Sequence, residues 1–196
     1  PSGASIGKHE ALELRDGGKR YFGKGVLKAI KNVKKIEKEI LGMDVQNQEE
    51  IDLKIISLDK ESKAKLGANT TTAVSLACAR CAADEQGIEI YEHLGKGFEK
   101  RLPVPMLNVI NGGKHAPSGL SIQEFMLFPI RFRTFSDALR AAVEIYKTLF
   151  WIIEKKYGKI YTTVGDEGGF VPPCKKTEEV LGLLEKATTE CGYSKK

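Results

Sequence analysis

The sequence predicts an α/β protein, helical in its first part and alternating between strand-like runs and helices in its second. Three observations carry that expectation. Apolar residues recur at helical spacing through most of the stretch from Gly25 to Gly87. From Arg101 onward, short β-like runs are stopped by glycine and proline. A long amphipathic pattern, Thr134–Tyr157, then follows two of those runs, as in the opening of an α/β unit. The texture changes near residues 95–102, and no internal repeat or low-complexity tract is visible.

Each element has its own signal. The first two dozen residues read as loop, with Asp16-Gly17-Gly18 as a turn. Gly25–Leu41 reads as a helix. At 100° per residue Lys28, Lys31, Lys35 and Lys38 fall within about 80° of one another, with Val26, Ile30, Val33, Ile36 and Ile40 opposite. Gln46–Leu58 is a second helix through Ile51, Ile55 and Leu58, and Ala-rich Asn69–Gln86 a third, ended by Gly87. A short segment, Ile90–Leu94, leads to Gly95-Lys96-Gly97. Pro103–Ile110 and Ile122–Pro129 read as strands. In Thr134–Tyr157, Leu139, Val143, Tyr146, Leu149, Phe150 and Ile153 line one side; Thr134 with Asp137 offers a capping box and Gly158 a stop. Tyr161–Val164 reads as a third strand and Thr177–Cys191 as a last helix.

Composition narrows the class. The 196 residues are 41% apolar and 29% charged, which excludes a wholly disordered chain. The longest apolar cluster, Leu149–Ile153, is far below the roughly 18 residues of a membrane-spanning helix. The opening Pro1-Ser2-Gly3-Ala4 has no signal-peptide pattern, and the reading of the cysteines as reduced thiols sets an expectation of a cytoplasmic protein. Against 26 acidic residues, 31 basic ones leave a mild excess of +5. The lysine cluster reads as a solvated helix face, so no nucleic acid is expected as a partner. Cys78 and Cys81 share C-x-x-C spacing, but no second ligand pair lies near them, so they read as small, reduced, buried core residues.

Three clusters set polar groups in glycine beside strand-like runs, where loops of α/β folds converge on ligands. In Asn111-Gly112-Gly113-Lys114-His115-Ala116, His115 can exchange a proton near neutral pH; a turn with an exposed His is the alternative. In Gln123-Glu124, strand alternation predicts the two side chains on opposite faces, so one points at an apolar layer or into a site; a solvent-facing Glu is the alternative. Gly165-Asp166-Glu167-Gly168-Gly169 sets two adjacent carboxylates among glycines, which suits acid–base work or metal chelation as well as a surface turn.

In order, these segments resemble the enolase (phosphopyruvate hydratase) family. The matching residues are Ser2-Gly3-Ala4-Ser5, His9-Glu10-Ala11-Leu12-Glu13, Arg15-Asp16-Gly17 and Gly23-Lys24-Gly25-Val26. They continue with Lys65-Leu66-Gly67-Ala68-Asn69, Pro103-Val104-Pro105, Asn111-Gly112-Gly113, His115-Ala116, Gln123-Glu124-Phe125-Met126 and Val164–Gly169. The resemblance implies a truncated enolase-like α/β fold. Residues 1–98 would form the N-terminal α+β domain lacking its first strand, and 99–196 the opening part of a C-terminal α/β (TIM-like) barrel.

The resemblance also implies chemistry: Mg²⁺-dependent, reversible dehydration of 2-phosphoglycerate to phosphoenolpyruvate, a glycolytic lyase reaction. It gives Glu167 the role of the acid that assists hydroxide loss, with Glu124 as its proton-sharing partner. His115 would close over the substrate, and Ser5, on a mobile loop, would bring oxygen ligands to a magnesium ion. Ile6 and Lys8 are minor departures from the family pattern. The carboxylate ligands of the first magnesium, the lysine base and a phosphate-binding arginine fall, by the same resemblance, beyond the segment matching Tyr193. The 196 residues alone are therefore expected to be inactive and poorly stable, while the parent is expected to be a homodimer. An alternative makes the chain an enolase-derived binding protein that captures plasminogen at a cell surface through Lys195-Lys196.

Overall fold

The computed structural model describes residues 7–59, 63–113 and 119–193. Its contacts separate into two units, Pro1–Lys100 and Arg101–Lys196. Among the described residues no helix is long and apolar enough to cross a membrane.

Among its described residues the first unit contains the α-helices α1 (Leu27–Ile40), α2 (Gln48–Ser57), α3 (Ala68–Gln86) and α4 (Ile90–Leu94). Asp16 sets the start of α1 from eleven residues upstream. Its carboxylate accepts from the backbone N–H groups of Leu27 (2.9 Å) and Lys28 (2.8 Å), serving donors that the helix itself leaves unpaired. Gly87, in the left-handed region at φ 65°, ends α3 as the sequence predicts. Ile36, Ile51, Ile55 and Leu66 form the core of this unit.

The lysine face of α1 is exposed as expected, but its buried face is turned from the predicted one. Ala29, Asn32 and Ile36 are buried, whereas Ile30 and Val33 are exposed. Asn32 is drawn inward because its amide donates to the Lys65 and Leu66 carbonyls at 3.1 and 3.0 Å. Buried Thr70 donates to the Ala29 carbonyl at 3.1 Å and binds α3 to the same face. Ile30 and Val33 line an open apolar groove with Cys78 and Cys81. The expectation of buried cysteines is corrected there: Cys78 is half-buried and Cys81 exposed, because their side of α3 faces the groove.

The second unit contains β1 (Leu107–Asn111), β2 (Glu124–Leu127), α5 (Phe135–Tyr157) and α6 (Thr177–Glu190). β1 and β2 pair antiparallel, and Phe170 bridges Ile110 in parallel, leaving an open sheet. Both strands are shorter than predicted. Pro103 and Pro105 offer no N–H to a ladder, so β1 begins beyond them.

The third predicted strand, Tyr161–Val164, is replaced by a 3₁₀ turn over Lys159–Thr162, with only Val164 bridging Phe170. Local bonds decide the difference. The Thr162 and Thr163 hydroxyls donate back to the Lys159 and Ile160 carbonyls, at 2.7 and 3.0 Å, favouring the turn over a ladder.

Thr134 caps α5, its hydroxyl oxygen accepting from the Asp137 N–H at 3.1 Å. The buried stripe of α5 is Ala138, Ala141, Ala142, Ile145, Leu149, Ile152 and Ile153, and this corrects the predicted face: Leu139 and Val143 point outward. The alanines permit close approach of neighbouring chain, and the apolar residues wrap too far round the helix for spacing alone to choose between faces. Val109, Ile110, Phe125, Leu149, Ile153, Phe170, Val180 and Leu183 are among the residues of one core between sheet, α5 and α6.

Candidate active site

A single irregularity in β1 sorts its side chains. Strict alternation would place Leu107, Val109 and Asn111 on one face and Asn108 and Ile110 on the other. The register instead pairs Leu107 with Leu127, Asn108 with Met126, Ile110 with Phe125 and Asn111 with Glu124, leaving Val109 as the extra residue of a bulge. Cross-strand partners share a face. Asn108, Asn111, Glu124 and Met126 therefore stand together on one side, while Leu107, Ile110, Phe125 and Leu127 face the core.

The second carboxylate reaches this polar side from the loop before Phe170. Asn111 N–H donates to the Phe170 carbonyl and Phe170 N–H to the Val109 carbonyl, both at 2.9 Å, which ties the loop's far end to β1. Within the loop, Gly165 N–H donates to the Gly169 carbonyl (2.8 Å) and Gly168 N–H to the Gly165 carbonyl (3.0 Å). Tyr146 braces it from α5: its hydroxyl donates to the Gly168 carbonyl at 2.8 Å and its ring stacks on Phe170 at 4.5 Å. Burial pushes the Tyr146 hydroxyl above the ordinary phenol range, so it remains a donor at neutral pH.

Glu167 emerges from this braced loop, exposed, with its Oε2 accepting from the Asn108 side-chain amide at 2.9 Å. Glu124 opens β2 and receives the Gln123 amide at 3.4 Å. Gln123 was expected on the opposite face, but it precedes the strand, where alternation does not apply, and its amide turns toward Glu124. The Gly112 N–H donates to the Gln123 carbonyl at 2.8 Å, holding the turn after β1 against the start of β2. Two asparagine amides carry unpaired atoms here: Oδ1 of Asn108, and both polar atoms of fully buried Asn111.

Of the four residues singled out from sequence, Glu124 opens β2, and Glu167 lies in the loop whose end, Phe170, bridges Ile110 of β1. His115 and Ser5 lie outside the described residues, as do Lys195 and Lys196. Sequence reasoning missed Asn108, Gln123 and Tyr146 as partners of the carboxylates and their loop; two polar asparagines inside a strand-like run were the available signal. Among the described residues no group of three or more His, Cys, Asp or Glu side chains could hold a metal ion. The arrangement suits proton transfer: two carboxylates on one open face, each met by a neutral amide donor.

Residues 1–94 match the family model for the enolase N-terminal domain, and residues 99–196 that for the enolase C-terminal TIM barrel domain. The chain is 53% identical over 196 residues to the enolase of Methanopyrus kandleri, covering 99% of this chain and 46% of that protein. It is 52% identical over 195 residues to the enolase of Thermococcus gammatolerans, covering 98% and 45%, respectively. With the enolase of Pyrococcus furiosus the identity is 53% over 195 residues, again 98% of this chain and 45% of the relative. The chain spans about half the length of the curated relatives it matches.

Proposed function

The chain belongs to the enolase family, and from that premise we propose that it supplies part of the active site of a lyase that reversibly dehydrates 2-phosphoglycerate to phosphoenolpyruvate. The observation that carries the reading is the braced Gly165–Gly169 loop, which presents Glu167 on the same open side as Glu124. Glu167 would donate a proton to the departing C3 hydroxyl, so that water leaves as the C–O bond breaks. Glu124 would hold a second carboxyl close by, and His115 would close over the substrate.

Mg²⁺ belongs to the proposal as cofactor, with Ser5 among its oxygen ligands; when bound it would supply positive charge facing the anionic substrate. Assembly as a homodimer and a cytoplasmic location are further parts of the proposal, carried by family membership alone.

The test is a dehydration assay on the full-length protein that contains this stretch, with and without Glu167→Gln. Turnover should fall by roughly 10²–10⁴-fold while substrate binding persists, the range expected for loss of a general acid. Near-normal kcat in the variant would remove Glu167 from its role.

A further inference from the structure

We propose that Tyr146 is a positioning residue for the dehydration, a latch on α5 that sets the turn carrying Glu167; this rests on the proposed role of Glu167. It acts through the backbone at Gly168, the residue next to the acid.

The turn is short and local. Gly168 N–H donates to the Gly165 carbonyl at 3.0 Å, closing a four-residue turn in which Glu167 stands third. Gly168 takes φ 82°, and Gly165 N–H donates to the Gly169 carbonyl at 2.8 Å, so that Val164 and Phe170 pair antiparallel. This is a hairpin turn with an extra glycine in the left-handed region, and so small a hairpin is marginal by itself. Its two bonds use the carbonyls of Gly165 and Gly169. The Gly168 carbonyl goes to the Tyr146 hydroxyl, which donates to it at 2.8 Å.

The platform behind that hydroxyl is firm. Tyr146 sits on the 23-residue α5 beside buried Ile145 and one turn from buried Ala142. Its ring lies nearly parallel to buried Phe170, with centroids 4.5 Å and planes 15° apart. Phe170 is itself bonded to β1 through both its N–H and its carbonyl. The ring therefore seats Tyr146 where the loop rejoins the sheet, while the hydroxyl holds the peptide beside Glu167. A general acid works within hydrogen-bond reach of its target, so a small swing of this turn lowers rate more than binding.

The experiment uses the full-length protein in four forms: parent, Tyr146→Phe, Glu167→Gln and the double variant. Phenylalanine keeps the stack on Phe170 and removes the hydroxyl alone. Tyr146→Phe should lower kcat for 2-phosphoglycerate dehydration about three- to tenfold, as for loss of one neutral hydrogen bond, with KM within about twofold of the parent. In the Glu167→Gln background the same change should alter kcat by less than about twofold, because the group being positioned is gone. Equal falls in both backgrounds would mark a merely structural contact and overturn the inference, as would parent-like kcat in Tyr146→Phe. Amide hydrogen exchange over Gly165–Gly169 reads the latch without reference to turnover. It should quicken several-fold in Tyr146→Phe while α5 exchanges as in the parent, and an unchanged loop rate would also overturn the inference. Parent-like kcat in Glu167→Gln, or a full-length protein with no dehydratase activity, would instead overturn the proposed function.

Discussion

Gly169 lies directly against Asn111: a β-carbon at position 169 would stand 2.9 Å from Asn111 Cγ and 3.0 Å from its backbone nitrogen. The demand is for space, and it falls where the Glu167 loop rejoins the sheet. Asn111 is fully buried and its N–H is already committed to the Phe170 carbonyl, so it has little room to yield.

Gly169→Ala should therefore destabilise the protein by about 1–3 kcal/mol, the usual cost of overpacking a rigid contact. Urea or thermal unfolding of the full-length protein measures it. Parent-like stability would mean that loop and strand separate freely, and that the bracing described for Glu167 is weak.

Leu149 and Leu139 test which face of α5 is structural. Helical spacing puts both on one predicted side, yet Leu149 is fully buried and Leu139 is 39% exposed. Leu149→Ala should cost about 2–5 kcal/mol through lost burial and a residual cavity. Leu139→Ala should cost about 1 kcal/mol or less, as for other partly exposed sites. Equal losses would return the helix to the face read from sequence.

Asp16 makes the start of α1 sensitive to pH. The backbone N–H of Lys28, then that of Leu27, hold its carboxyl below its ordinary value of 3.8, with Arg20 adding to the effect. A carboxylate with a lowered folded pKa contributes stability that is present above its unfolded value and lost as pH falls through its folded value. The stability gap between the parent and Asp16→Asn should thus be constant at neutral pH and should close only below about pH 4. Unfolding curves collected from pH 7 to pH 2 follow the gap. A gap that stays open at the acid end would show that the neutral acid caps α1 as well as the carboxylate does.

How much was legible in the sequence follows from the range of the forces involved. The existence of α1, α2, α3, α5 and α6, and their ends at Gly87, Thr134 and Gly158, could be read directly. Spacing, capping hydroxyls and left-handed glycines act within a few residues of one another. The two carboxylates could be singled out because glycine and acid sit side by side in the chain, and the ordered series of motifs was long enough to identify the family.

What tertiary structure alone decided was direction. The face of α1 that is buried depends on the carbonyls of Lys65 and Leu66, more than thirty residues away, which draw in Asn32. The buried face of α5 depends on where the sheet and α6 can approach its alanines. The sharpest case is β1: the same five residues, alternating strictly, would point Asn108 and Asn111 to opposite faces. One unpaired residue at Val109, set by the register with β2, brings both to the side that holds Glu124 and lets Asn108 reach Glu167. Local chemistry determines which residues can act and what element each occupies. Only packing between segments distant in sequence determines which way their side chains face, because the energy that chooses among faces comes from surfaces the local chain does not contain.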